Sequence, residues 1–255
     1  MSIPPSGEYV QSLARGLAVI KAFSAERPAM TLSDIARATD LTRATARRFL
    51  LTLEELGYVR SDGRDYSLTP RVLELGFSYL SSLSLPEIAQ PHLEAFSRAV
   101  GESSSASVLD GNEVVYVARV PTRRIMTVNI TIGTRFPAHA TSMGRVLLAN
   151  LPAAERAAFL AEFHAEPLTP FTITTPDALG AELDRVREQG WSLVDQELEF
   201  GLRSLAAPVH RGDRVVAAIN VSTATGGSPA EETKERFLPE LLRASAAISA
   251  DLAHY

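Results

Sequence analysis

The sequence predicts a mixed α/β protein of the α+β kind, in which a small helical unit with one hairpin precedes a larger, mainly antiparallel unit. Three observations carry this. Short segments with helical apolar spacing crowd the first 57 residues. A strand–turn–strand pattern follows at 58–68. After Pro86 strands and helices alternate, yet Asp110-Gly111-Asn112 and Arg211-Gly212-Asp213 are tight turns that join strands directly, which favours antiparallel pairing over a doubly wound parallel sheet.

The first helix is "SLARGLAVIKAFS", where Leu13, Leu17 and Ile20 recur at helical spacing and Ser12 is the expected N-cap. In "TLSDIARATD", Thr31 and Asp34 stand at capping-box spacing. A third helix starts near Thr42 and ends at Gly57, a natural residue to follow a helix. Tyr58–Arg60 and Tyr66–Leu68 are hairpin arms around Asp62-Gly63. Pro70 opens "RVLELGFSYLSSL", read as a connecting helix. The boundaries expected are a first domain over 1–70, a linker helix over 71–85 and a second domain over 86–255. The second domain is expected to hold a helix through Phe96, strands "SSSASVLD", "EVVYVARV" and "RIMTVNIT", a loop "IGTRFPAHAT", and helices around 142–150, 153–163 and 177–189. Strands "WSLVDQE", "SLAAPVH" and "RVVAAINVS" and a closing helix over about 230–253 complete it.

At 255 residues, 45% hydrophobic and 22% charged, the composition is that of a globular protein, with no run apolar enough to span a membrane and no basic-then-apolar leader. The absence of cysteine excludes disulfides, thiolate catalysis and sulfur-bound zinc, and fits a cytoplasmic location. The net charge of −5 divides into +1 over residues 1–85 and −6 beyond, so the first unit is the less averse to polyanions.

The stretch "LTRATARRFLLTLEELGYVR" carries the chemistry of that unit. On a helical wheel Ala46, Leu50 and Leu53 point one way, and Ala44, Arg48, Leu51 and Glu55 nearly opposite, with Arg47 on the flank. Thr42, Arg43, Ala44, Arg47 and Arg48 are therefore exposed in the first two turns. Small and basic residues there, after a short helix and a tight turn, suit the second helix of a helix-turn-helix. Arginine can take guanine O6 and N7 together, and Thr42 and Thr45 can reach phosphates or a thymine methyl. Arg60 and Arg64 on the hairpin would act as a wing on the backbone or minor groove. An amphipathic helix solvated by its arginines is the plainer reading of this helix alone; the full order of capped helix, turn, basic helix, Gly stop and basic hairpin favours double-stranded DNA as partner.

In the second unit, "PAHATSMGRVLLA" is a loop entering a helix with Thr141 as candidate N-cap. The free N–H groups of Ser142, Met143 and Gly144 would suit a carboxylate, Gly144 also permitting close approach. A plainly capped helix is the competing reading.

Together "SLARGLAVIKAF", "LSDIARATDLTRATARRFLLTLEELGYV", "HATSMGRVLLA", "DQELEFGLRSLAAPV" and "AINVS" resemble the IclR family of bacterial transcription regulators, in order and spacing, over nearly the whole chain. "LARGLAVIKAF" with "ATSMGRVLLA" is most similar to the subgroup regulating aromatic catabolism through protocatechuate and β-ketoadipate, the PcaR and PcaU type. The resemblance implies a winged helix-turn-helix, a linker helix and a GAF-like effector domain, assembled as homodimers or tetramers. The partners expected are double-stranded DNA, a small carboxylic-acid effector and RNA polymerase, with neither a metal nor another cofactor expected. In such relatives backbone amides at the helix start hold the acid, and carry-over by motif adds Asp195, Ser204, Asn220 and Ser222. Asn220 and Ser222 share one face of a strand. Ser204 stands where relatives often have Cys. Asp195 suits an anion only if it meets a hydroxyl or is protonated, and could equally serve the turn after its strand. Arg145, where many relatives have Lys, and Arg135 in the preceding loop could each pair with a second carboxylate or simply lie on the surface.

Two other functions compete at this level. His139 with Ser142, or Asp195 with His210, can be drawn as an acid–base pair, but there is no G-x-S-x-G elbow, no H-E-x-x-H spacing, and the only lysines, Lys21 and Lys234, are away from the candidate pocket. Alternatively the first unit recruits protein rather than DNA, and the second only dimerises.

Overall fold

The computed structural model describes residues 9–75, 85–122 and 130–253. The chain divides into two compact units, residues 1–82 and 83–255.

The first unit opens with α1 (Gln11–Lys21), β1 (Ala29–Thr31), α2 (Leu32–Ala38) and α3 (Arg43–Glu55), followed by β2 (Val59–Ser61) and β3 (Asp65–Leu68). Helix α1 begins one residue before the expected cap. Val10 occupies the cap position without a side-chain bond, and Ser12 lies exposed inside the first turn. Thr31 does cap α2, accepting from the Asp34 amide at 3.2 Å, and its hydroxyl donates to the Asp34 carboxylate at 2.7 Å. Residues 29–31, whose sequence predicts only a helix start, also form an edge strand, so the hairpin becomes a three-stranded antiparallel sheet in the order β1-β3-β2.

Both helix ends that shape the turn use the same device. Asp40, with φ +52°, follows α2; the Leu41 amide bonds Ala36 O at 2.9 Å and the Asp40 amide bonds Arg37 O at 3.4 Å. Gly57, with φ +81°, follows α3; the Tyr58 amide bonds Leu53 O at 2.8 Å and the Gly57 amide bonds Glu54 O at 2.9 Å. These are Schellman ends, which satisfy carbonyls left open at a helix terminus. Val19, Phe23, Met30, Ile35, Leu50, Leu53 and Val59 form the core beneath. Pro70–Val72 is a 3₁₀ turn capped by Thr69. The rest of the expected linker helix falls largely on residues 76–84, outside those described.

The second unit is a six-stranded, wholly antiparallel sheet in the order β6-β5-β4-β9-β8-β7. Its strands are β4 (Ser103–Asp110), β5 (Glu113–Val120), β6 (Arg135–Pro137), β7 (Ser192–Asp195), β8 (Leu202–Arg211) and β9 (Arg214–Ala224). The described helices are α4 (Leu85–Val100), α5 (Ser142–Ala149), α6 (Ala153–Ala161), α7 (Pro176–Gln189) and α8 (Ala230–Leu252). The expected strand "RIMTVNIT" lies largely on residues 123–129, outside the description. The segment expected as a loop before α5 holds β6 and a 3₁₀ turn, Ala138–Ala140.

The buried serines of β4 are legible once their partners are seen. Ser104 donates to Leu93 O on α4 at 3.1 Å, and Ser107 on the opposite face donates to the Met143 sulfur of α5 at 3.3 Å. Sheet alternation thus sends Ser103, Ser105 and Ser107 toward α5 and Ser104 toward α4. Pro208 pairs with Ala218 of β9, but its carbonyl accepts from Ser245 of α8 on the other side, past the stretch, residues 203–206, that pairs with β7, so its missing N–H breaks no ladder bond. Helix α5 is buried along its whole length, in a core with Val114, Tyr116, Leu179, Leu183 and Val186. Among the described residues no helix is long and apolar enough to cross a membrane.

Candidate nucleic-acid interface and ligand pocket

Helix α3 is held by one face and presents the other. Ala46, Leu50 and Leu53 are buried, whereas Thr42, Arg43, Ala44, Arg47 and Arg48 are exposed and Thr45 is half-buried. Thr42 caps the helix by accepting from the Thr45 amide at 3.2 Å, and the two hydroxyls lie 2.9 Å apart. Among the described residues Arg43, Arg47 and Arg48 have no ion-pair partner, so three uncompensated guanidinium groups ride the first two turns. The wing adds two more arginines. Arg60 Nε donates to Ser67 Oγ across the strands at 3.1 Å, and Arg64 sits exposed at the tip. The Asp62 carboxylate accepts from the Arg64 and Asp65 amides at 2.9 and 2.8 Å, which holds its pKa below the usual carboxylate range and fixes the turn. The turn residues between the strands are Asp62, Gly63 and Arg64, one more than the Asp-Gly pair expected, with Gly63 at φ +97°.

In the second unit a hollow of about 400 Å³ of space between atoms, partly open to solvent, is lined by Tyr116, Ile130, Ala140, Thr141, Val194, Leu198, Leu202, Ser204, Asn220 and Ser222. The lining side chains leave little more than a water molecule's room, so a larger occupant must spread them. Register explains the set: Ser204 faces Val194 on one side and Ser222 on the other, which puts all three on one face of the sheet. Ser142 at the start of α5 donates its hydroxyl to Ser204 Oγ at 2.9 Å. Asn220 Nδ2 donates to Ser222 Oγ at 3.0 Å, while its buried Oδ1 has no partner among the described residues. Burial pushes the Tyr116 phenol up to about 12, partly offset by the Arg119 charge.

Several expected site residues are placed elsewhere. The Gly144 amide is taken by Thr141 Oγ1 at 3.1 Å, and a side chain at Gly144 would lie 2.1 Å from Ala138 O. That glycine lets α5 lie against the 3₁₀ turn, rather than letting a ligand approach. The Ser142 and Met143 amides have no acceptor among the described residues, as expected at a helix start, while the Met143 side chain belongs to the core. Asp195 is one residue beyond Val194 and so faces away from the hollow. It pairs with Arg203 at 2.9 Å, and Arg203 also donates to Ser228 O and Thr233 Oγ1, tying β7 and β8 to the start of α8. Arg145 is 2% exposed and is neither free nor at the surface; it contacts Glu197 at 2.5 Å, Glu182 at 3.5 Å and His139 O at 2.9 Å. Burial and the Arg145 charge hold the His139 pKa below its ordinary value. Arg135 is exposed at the sheet margin and bridges Asp110 and Glu113, each at 2.7 Å. Sequence reasoning named Thr141 only as the cap of α5, which it is, and missed Tyr116, Ile130, Ala140, Val194, Leu198 and Leu202 as lining residues. The alternation that puts Asn220 and Ser222 on one face would have reached Val194 had the strand register been known. Among the described residues no group of three or more His, Asp or Glu could hold a metal ion.

A helix-turn-helix with a basic wing, joined to a unit whose hollow has both apolar and polar walls, defines a DNA-binding transcriptional regulator. The helix-turn-helix domain of the IclR family matches residues 12–63, and the C-terminal domain of bacterial IclR transcriptional regulators matches residues 77–250. The chain belongs to the IclR family. It is 44% identical over 249 residues to the Pca regulon regulatory protein of Pseudomonas putida, covering 97% of this chain and 84% of that one. Among solved structures, a transcriptional regulator from Rhodococcus sp. RHA1 is 59% identical with a TM-score of 0.87, covering 96% and 99% of the two chains. An IclR homologue of Microbacterium hydrocarbonoxydans complexed with 4-hydroxybenzoate is 28% identical with a TM-score of 0.86, covering 96% and 100%. These relatives place the chain with the Pca-type regulators, and they are regulators, not enzymes.

Proposed function

We propose that the chain reads duplex DNA with Thr42, Arg43, Ala44, Thr45, Arg47 and Arg48 of α3 and with Arg60 and Arg64 of the wing, and that a small aromatic or related carboxylic acid bound in the second unit controls this. The observation that carries the reading is the trio of exposed, uncompensated arginines on a helix whose opposite face is wholly buried. Such a helix offers bidentate guanidinium groups to guanine and phosphate. The ligand sits in the hollow that Ser204, Asn220 and Ser222 line, next to the start of α5 where Ser142 meets Ser204, the Asn220 Oδ1 accepting from a ligand hydroxyl. The relatives' names, one a Pca regulon regulator and one a homologue bound to 4-hydroxybenzoate, support an aromatic-catabolism circuit. Effector binding shifts a balance between subunit arrangements of a dimer or tetramer, and so the spacing of paired reading helices; it does so only by its difference in affinity for the two. RNA polymerase is a further partner in this reading.

Gel-shift titration on the DNA upstream of its own gene, with and without 4-hydroxybenzoate, protocatechuate and adipate, tests this. The expected result is a specific complex whose affinity changes with one acid. Arg47→Ala or Arg48→Ala should weaken it about tenfold while acid binding persists. No complex under any condition removes the proposal.

A further inference from the structure

In the second unit four described arginines are buried or half-buried: Arg119, Arg145, Arg156 and Arg203. Arg145 meets Glu197 and Glu182, Arg156 meets Asp184 at 2.7 Å, and Arg203 meets Asp195. Among the described residues Arg119 alone has no carboxylate partner, and its one hydrogen bond to them is from Nη1 to Ser105 Oγ at 3.0 Å. None of its guanidinium nitrogens is a buried atom without a partner, so the edge that Ser105 does not take is open to water or to a ligand. Burial lowers the Arg119 pKa from the ordinary arginine value.

Its position says what that open edge could meet. In the sheet Ser105 pairs directly with Arg119 on β5 and with Asn220 on β9. The three residues therefore form one row on the face that carries the hollow, with Arg119 two strand spacings, about 10 Å, from Asn220. Tyr116, which lines the hollow, lies near enough to feel the Arg119 charge. We infer that Arg119 is the cation that selects an acid over a neutral molecule in this pocket, taking the ligand's carboxylate on its free guanidinium edge while Ser105 holds the other edge. This rests on the acid-binding reading above and assigns it the charge partner that Arg135 and Arg145 do not supply. The site takes an organic anion whose acid group lies over β5 and whose polar far end reaches Asn220 and Ser222.

Calorimetry on the full chain tests it. The tightest-binding acid among 4-hydroxybenzoate, protocatechuate and adipate is compared with its primary amide, for the wild type, Arg119→Gln and Arg119→Lys. The wild type should bind the acid more than about tenfold tighter than the amide, as expected for a charge-assisted hydrogen bond. Arg119→Gln should bind the two alike, with unchanged amide affinity and melting temperature, and Arg119→Lys should recover part of the preference. Should Arg119→Gln not fold, Arg119→Lys carries the test, with intermediate acid affinity expected. If the wild type binds the acid and the substituted chains keep its full preference, Arg119 is not the selecting cation, although the acid-binding reading stands. If the wild type binds none of the acids, both fall.

Discussion

Arg145 shows how residue type alone misleads. By sequence it is a candidate partner for an effector's second carboxylate, yet it is the largest charged side chain fully buried in the second unit, gripped by Glu197 and Glu182. Glu197 in turn accepts from the Ile173 amide at 3.0 Å, so one guanidinium ties α5 to the loop after β7 and to the segment before α7. Removing one partner of a buried ion pair strands the other charge, at a cost of about 3–5 kcal/mol. Thermal or urea unfolding of Arg145→Met should show a loss of this size, and Glu197→Gln in that background should restore part of it. A variant as stable as the wild type would show that the pair contributes nothing. Nothing in "SMGRVLLA" separates a buried, paired arginine from a ligand-facing one, because the carboxylates that decide it lie 37 and 52 residues away. Asp195 fails for a related reason. A one-residue step along a strand reverses the face, and spacing alone does not fix register.

Elements are far more legible than side-chain roles where local chemistry sets them. Thr31 and Thr42 cap the helices that their positions in the sequence predict, and Gly57 ends α3 in the left-handed conformation its position requires. The turns at Gly111 and Gly212 join β4 to β5 and β8 to β9, as the Gly-centred tripeptides predict. What escapes a sequence reading is the non-local: β1 and β6 are three residues each and exist only through pairing with distant strands. The Ser12 cap is a local error, since α1 starts without any side-chain cap. Gly57→Ala tests the element account. Placing a Cβ at φ +81° should cost the first unit about 1–2 kcal/mol and loosen the start of the wing. The Cβ would meet only the flexible Arg71 side chain at 3.2 Å, so backbone strain, not a clash, is what unfolding would read. An unchanged melting temperature would contradict it.

At the scale of the whole molecule, two units with separate cores carry separate tasks, and charge is distributed to match: net positive through residue 85, net negative after it. The exposed arginines of α3 and the wing suit a polyanion as neighbour, and the IclR helix-turn-helix domain to which they belong is a DNA-binding one. The most direct measurement is the salt dependence of affinity for the protein's own upstream DNA, for the wild type and for Arg43→Ala/Arg47→Ala/Arg48→Ala. The wild type should lose affinity steeply with salt, and the triple variant should show a shallower slope, by about 0.9 for each phosphate it no longer neutralises. Equal slopes in the two proteins, or a flat response in the wild type, would contradict the assignment of this helix to the DNA.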